Sequence, residues 1–203
     1  MINKKNTCHL RTHSSLRKTP ARETKTVISN KIMEQNKEFL PQRGDYRNLV
    51  AFQKAECIYD VTCHFVARFL DKSDRTTDQM VQAARSGKQN IAEGSVAGAT
   101  SKETEIKLTN VARASLQELL LDYEDYLRVH NLELWSKFDE RTLRTRRICA
   151  NHNDSAFYME TIGKRSDEAI ANIAIVLLHQ ADVLLVHLIE KQKADFLQNG
   201  GIR

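Results

Sequence analysis

The stretch from Ser166 to Phe196 constrains this chain most. At helical spacing Ile170, Ala174, Leu177, Leu178, Ala181, Leu184, Leu185 and Leu188 fill one side. Ile175, Val176, Val183, Val186 and Ile189 occupy much of the rest. A helix apolar nearly all round has to be covered on more than one face. Asn172, His179, Gln180 and Asp182 interrupt it, which argues against a transmembrane span. One face meets a helical core. The other, including Ile175, Val183 and Val186, calls for a second partner, most simply another copy of the chain.

Three further helices are expected upstream, at about 48–70, 76–93 and 102–129, with the apolar helix at 166–196. The first carries a wide apolar arc including Phe52, Ala55, Ile58, Phe65 and Phe69. In the second, Met80, Ala84, Gly87 and Ile91 fall within about 60° of one another and form a narrow seam. Gly87 sits on that seam, so its missing side chain lets another helix approach closely. Thr76 with Gln79 and Thr100 with Glu103 read as capping boxes, and Gly94 as the residue just past the second helix. Leu108, Ala112, Ser115, Leu119, Tyr123 and Tyr126 trace the stripe of the third. The short turn between the second and third helices makes them antiparallel neighbours. Few glycines and prolines, seven and two, agree with an all-α chain. The fold expected is an antiparallel up-down-up-down four-helix bundle over residues 39–203.

The net charge of +5 describes no single part of the molecule. Residues 1–32 hold eight of the 31 Lys and Arg but one of the 26 acids, so the chain from Met33 onward carries a formal −2. Residues 1–38 read as a disordered basic arm. Its acid-poor composition suits either an organellar transit peptide or an extension upstream of a start at Met33; it lacks the apolar core of a secretory signal. The four cysteines have no CxxC spacing, which points to a reducing cytoplasmic setting with Cys57 and Cys63 as buried helix residues.

Catalytic and metal-binding patterns are not expected. A ferritin-like site needs Glu-x-x-His on a helix. Here His64, His130, His152, His179 and His187 follow Val61, Leu127, Cys149, Val176 and Leu184 at that offset. No glycine-rich phosphate loop is present, and no cofactor is expected. Two binding surfaces stand out. Gln82, Arg85 and Gln89 form an amide-rich face suited to a subunit contact. In the long connection 131–164, either a functional loop or partly helical, Arg141, Arg144, Arg146 and Arg147 lie near Trp135, Phe157 and Tyr158, a combination that could serve phosphate contact and base stacking. The bland alternatives are a solvated face for the first and a loop anchored by its aromatics for the second. Glu93 and Glu118 read as structural acids, with Arg85 or Arg113 as partners for Glu93.

With the helices placed, Asn90-Ile91-Ala92-Glu93-Gly94 resembles the signature closing the second helix of a bacterial four-helix bundle family. That family is associated with intervening sequences of ribosomal RNA genes. Ser115-Leu116-Gln117-Glu118-Leu119 is similar to its SLxEL stretch, and the closer likeness is to the four helix bundle suffix domain-containing branch. The resemblance implies a homo-oligomeric bundle. By way of a fold relative, a retroelement accessory protein, it implies a pentamer with nucleic acid or a reverse-transcriptase-like protein as partner. The function expected is that of a non-catalytic interaction or scaffold protein; the alternative is an RNA- or DNA-binding accessory protein.

Overall fold

The computed structural model describes residues 45–71 and 73–198. The basic arm 1–38 and the tail 199–203 lie outside them. Among the described residues the chain is all-α, with no strand. A 3-10 turn, Tyr46–Asn48, leads into α1 (Val50–Phe69), α2 (Arg75–Ala97), α3 (Lys102–Val129), α4 (Glu140–Asn151), α5 (Ser155–Ile162) and α6 (Asp167–Gln198). Each of α1, α2, α3 and α6 packs along two of the others, and α4 and α5 fold back onto α6 and α1 respectively.

The four long helices fall where the apolar pattern places them, with changed ends. The connection 131–164 is largely helical: α4 and α5 occupy most of it. Neither has a usable apolar period. The helix α4 buries only Thr142 and Cys149, and α5 is eight residues long.

The seam predicted for α2 is its buried face. Met80 and Ala84 are fully buried, Ile91 nearly so, and Gly87 faces α3. A Cβ on Gly87 would lie 2.5 Å from Leu116 Cδ2 and 2.7 Å from its Cγ. Leu116 is itself buried at 2% exposure, so it has little room to yield. The helix does not stop at Gly94 but runs three residues further. Gly94 is interior, and a Cβ there would sit 3.3 Å from both Glu105 O and Leu108 Cβ. Its missing side chain serves close approach, not capping. Next to Gly87, Ser86 Oγ meets Ser115 Oγ at 2.9 Å, and Asn90 Nδ2 donates to Ser86 O at 2.9 Å. Partner numbers rise on one helix as they fall on the other, which makes the pair antiparallel.

Both expected capping boxes are displaced. At α2 the carboxylate of Asp74 accepts from Thr76 N at 2.8 Å, so an anion and not the Thr76 hydroxyl meets the positive helix end. At α3 Ser101 takes the extended N-cap conformation and accepts from Thr104 N at 3.2 Å. Thr100 instead donates its hydroxyl to Ala97 O at 3.1 Å, closing the end of α2. The other end of α3 is a Schellman turn. Asn131 sits at φ 55, and Leu132 N donates to Leu127 O at 2.9 Å.

The core is aromatic at one end and aliphatic along its length. Phe65 packs edge-on to Tyr123 and Tyr126, with centroids 5.0 and 4.8 Å away. The Tyr123 hydroxyl donates to Thr62 Oγ1 at 3.1 Å, satisfying two polar groups in the interior at once. Tyr126 donates to Asp167 Oδ2 at 3.0 Å and ties α3 to the start of α6. Further along, Arg113 Nε holds Asp182 Oδ1 at 2.6 Å. In α6 every residue from Ile170 to Leu178 is buried. The far side of this half is therefore covered by the chain's own α4, and Ile175 is only 5% exposed. Asp167–Gln198 is long and apolar enough to cross a membrane, and 61% of its most apolar stretch is buried inside the fold.

Gly87→Ala is expected to destabilise the fold by about 1–2 kcal/mol. Overpacking costs about 1–3 kcal/mol, and the better helix propensity of Ala returns up to about 1. Urea unfolding checks this. Leu116→Ala in the same chain should remove most of the penalty, a coupling readable in a double-mutant cycle.

Candidate functional site: a cleft beside the apolar helix

Where α4 covers α6, the cover is incomplete. A cleft of about 830 Å³ remains between them, floored by the start of α1. From α6 it is lined by Asn172, Ile175, Val176, Gln180 and Val183, and from α4 by Thr142, Arg146, Arg147 and Ala150. The segment before α4 adds Leu134, Trp135 and Lys137, and α1 adds Val50 and Lys54. Each helical set recurs at three- and four-residue spacing, so each is one face of its helix.

Two buried polar residues build the walls. Asn172, 2% exposed, acts as a backbone mimic. Its Oδ1 accepts from Trp135 N at 2.9 Å, while its Nδ2 donates to Glu133 O at 2.8 Å. This pins residues 133–135 along α6. Lys54, also 2% exposed, reaches from α1 to the far end of α4. Its ammonium donates to Cys149 O at 2.5 Å and His152 O at 3.0 Å, which gives the last carbonyls of α4 a cation. Burial depresses its pKa, opposed by the field of Cys149 and Cys57. The same burial pushes the Cys57 thiol up to about 12, so it is a packing residue and a poor nucleophile at neutral pH.

The arginine cluster separates into two pairs. Arg141 is held by Asp139 Oδ2 at 2.6 Å and Glu133 Oε1 at 2.8 Å, and its guanidinium lies over the Trp135 ring, 4.9 Å from the centroid. Its hydrogen bonds hold the Asp139 carboxyl below the usual carboxylate range. Arg144 pairs with Glu140 at 3.1 Å, one turn away. Arg146 and Arg147 make no salt bridge among the described residues, and both line the cleft. Of the aromatics, Trp135 faces the cleft, while Phe157 stacks on His152 at 3.7 Å and Tyr158 donates to His152 O at 2.8 Å. The latter two anchor α5.

The other residues singled out from the sequence lie apart from the cleft or at its edge. Gln82 and Arg85 are exposed on α2 and Gln89 is half-buried. On α6 Val183 is 55% exposed and Val186 half-buried. In the signature, Asn90, Ile91 and Gly94 serve the α2–α3 seam and Ala92 is half-buried. Glu93 and Glu118 are exposed, and among the described residues Glu93 pairs with neither expected partner: Arg113 holds Asp182, and Arg85 makes no salt bridge. No three His, Cys, Asp or Glu side chains among the described residues are placed to share a metal. The sequence reading passed over Lys54, Thr142 and the roles of Asn172 and Gln180. The signal was present for three of them: a polar residue set inside an otherwise apolar helical face.

Lys54→Met should cost about 1–3 kcal/mol by urea unfolding, since two buried carbonyls lose a charge-assisted donor while the desolvation of one ammonium is relieved. No loss of stability in this variant would mean the lysine is not the cap of α4.

The chain has no match among protein-family models, curated proteins or solved structures.

Proposed function

We propose that this chain is a non-catalytic interaction protein, an antiparallel up-down-up-down four-helix bundle that self-associates through the outer face of α3. The alternating direction is supported by contacts at two heights on each pair: Gly87 by Leu116 and Gly94 by Leu108 between α2 and α3, and Tyr126 with Asp167 and Thr109 with Gln192 between α3 and α6. The observation that carries the self-association is a stripe on α3. Val111, Leu121 and Val129 are 47%, 60% and 65% exposed. With Ala114, Glu118 and Asp125 they fall within about 80° of one another around the helix. Leucine and valine are so exposed along one line, with Glu118 and Asp125 between them, and Arg128 at its edge holds Asp125 at 2.6 Å.

The acids crowd one another. The half-buried Asp122 carboxyl beside them is raised above its ordinary value, first by burial and then by Glu118 and Asp125. A cationic partner relieves that repulsion. The chain offers one in the Gln82, Arg85 and Gln89 face of α2, where the guanidinium of Arg85 makes no salt bridge among the described residues. A second copy meeting stripe with face would cover the valines and leucine and pair Glu118, which makes no salt bridge among the described residues, with arginine.

The alternative, a nucleic-acid accessory protein, keeps Arg146, Arg147 and Trp135 as its contacts. It is weakened by the commitment of Arg141 and Arg144 to carboxylates.

Sedimentation tests the leading reading. The wild-type chain should sediment as an assembly well above 23.3 kDa at about 50 µM, and Leu121→Lys should return it to a monomer of unchanged helicity. A wild-type monomer, or an assembly indifferent to Leu121→Lys, overturns the α3 interface.

A further inference from the structure

Three residues that line the cleft between α4 and α6 each hold a buried polar atom without a hydrogen-bond partner among the described residues. The atoms are Thr142 Oγ1, Asn153 Oδ1 and Gln180 Oε1. Thr142 is 7% exposed, so its hydroxyl is more than nine-tenths buried. Gln180 is oriented by its other end, where Nε2 donates to Arg146 O at 2.9 Å, which leaves its carbonyl oxygen as an open acceptor. Buried acceptors are nearly always satisfied in folded proteins. Several left open in one concave site are the arrangement of a site whose last hydrogen bonds come from a ligand.

The rest of the lining specifies that ligand further. Arg146 and Arg147 are cations free of carboxylates among the described residues, and Lys54 and Lys137 add charge against the one acid, Glu124. Ile175, Val176, Val183 and the Trp135 ring supply an apolar wall. At about 830 Å³ the cleft is in the range of small-molecule sites, which combine apolar walls with a few convergent polar groups.

We propose that this cleft binds a small organic anion with a flat apolar body and an N–H or O–H donor. The anionic group pairs with Arg146 and Arg147 at the mouth, the body lies against Trp135 and α6, and the donor meets Gln180 Oε1. A polymer of nucleic acid fits less well. Two free arginines give a short cationic track, and the cleft is walled by α6 and α4 and floored by α1. The inference stands on the cleft alone and does not depend on how α3 is used.

The chain has one tryptophan, Trp135, and it lines the site, so its emission reports occupancy directly. The probe is 8-anilinonaphthalene-1-sulfonate, which carries a sulfonate, an aromatic body and an N–H. Titration should quench Trp135 saturably at one probe per chain. Arg146→Ala with Arg147→Ala should weaken binding about tenfold or more, as loss of charge-assisted hydrogen bonds does. Val183→Asp, placed on the exposed rim, should do the same by setting an acid against the anion. Lys193→Ala, exposed near the end of α6 and outside the cleft lining, should leave it unchanged. Circular dichroism verifies that each variant keeps its helices. Quenching that never saturates, or that is equal in all three variants, overturns the site. So does displacement of the probe by a 20-nucleotide single strand at submicromolar concentration with a steep loss in salt, which assigns the cleft to nucleic acid.

Discussion

An almost wholly apolar α6 has to be covered on both sides, and the rest of the chain is arranged to do so. On one side α1 and α3 supply the main core, tied to α6 by Tyr126 with Asp167 and by Arg113 with Asp182. On the other side the connection 131–164 folds back, with α5 on α1 and α4 as the cover of α6. This cover is itself poor in apolar residues, so burial alone does not hold it. It is held by polar residues aimed at backbone. Asn172 pins residues 133–135, and Lys54 caps the end of α4. Each burial of such a group would be costly alone and becomes favourable only because its partners are fixed carbonyls and amides.

The close approach of α2 and α3 is the second constraint, and it works by absence. Gly87 and Gly94 remove two side chains from the contact, which lets Leu116, Leu108 and Thr109 meet backbone. The seam then leaves the outer faces of both helices to solvent, where Arg85 and the Val111–Val129 stripe lie. On the proposed reading, this glycine-lined hairpin with its exposed valine and leucine is what a second copy would meet. The cleft beside α6 is a separate surface with different chemistry: cationic, concave and set with open acceptors.

The four long helices were readable because Leu, Ile, Val and Ala repeat at 3.6-residue spacing over many turns. Gly87 was readable because an interior glycine on an apolar seam has few other uses. The helix ends were not. Thr76 and Thr100 carry capping chemistry, but Asp74 and Ser101 stand in the extended conformation the cap requires. Gly94 looked like a terminator because the sequence does not show that a neighbouring helix lies over it. A partly helical connection was one of two readings, but the place of α4 in it escaped because its buried face is Thr142 and Cys149 among arginines, with tertiary bonds from Lys54 and Gln180 supplying what periodicity lacks. The arginine cluster was visible as a cluster. Its division into paired Arg141 and Arg144 and free Arg146 and Arg147 depends on Asp139, Glu133 and Glu140, which only the fold brings to bear.

Hydrogen exchange of the full chain, followed by mass spectrometry, tests whether α4 is held on α6 by these polar anchors. The account predicts strong protection of residues 140–151 in the wild type. It also predicts selective loss of that protection in Asn172→Ala, with α2 and α3 still protected. Exchange of residues 140–151 at the unprotected rate in the wild type would contradict it.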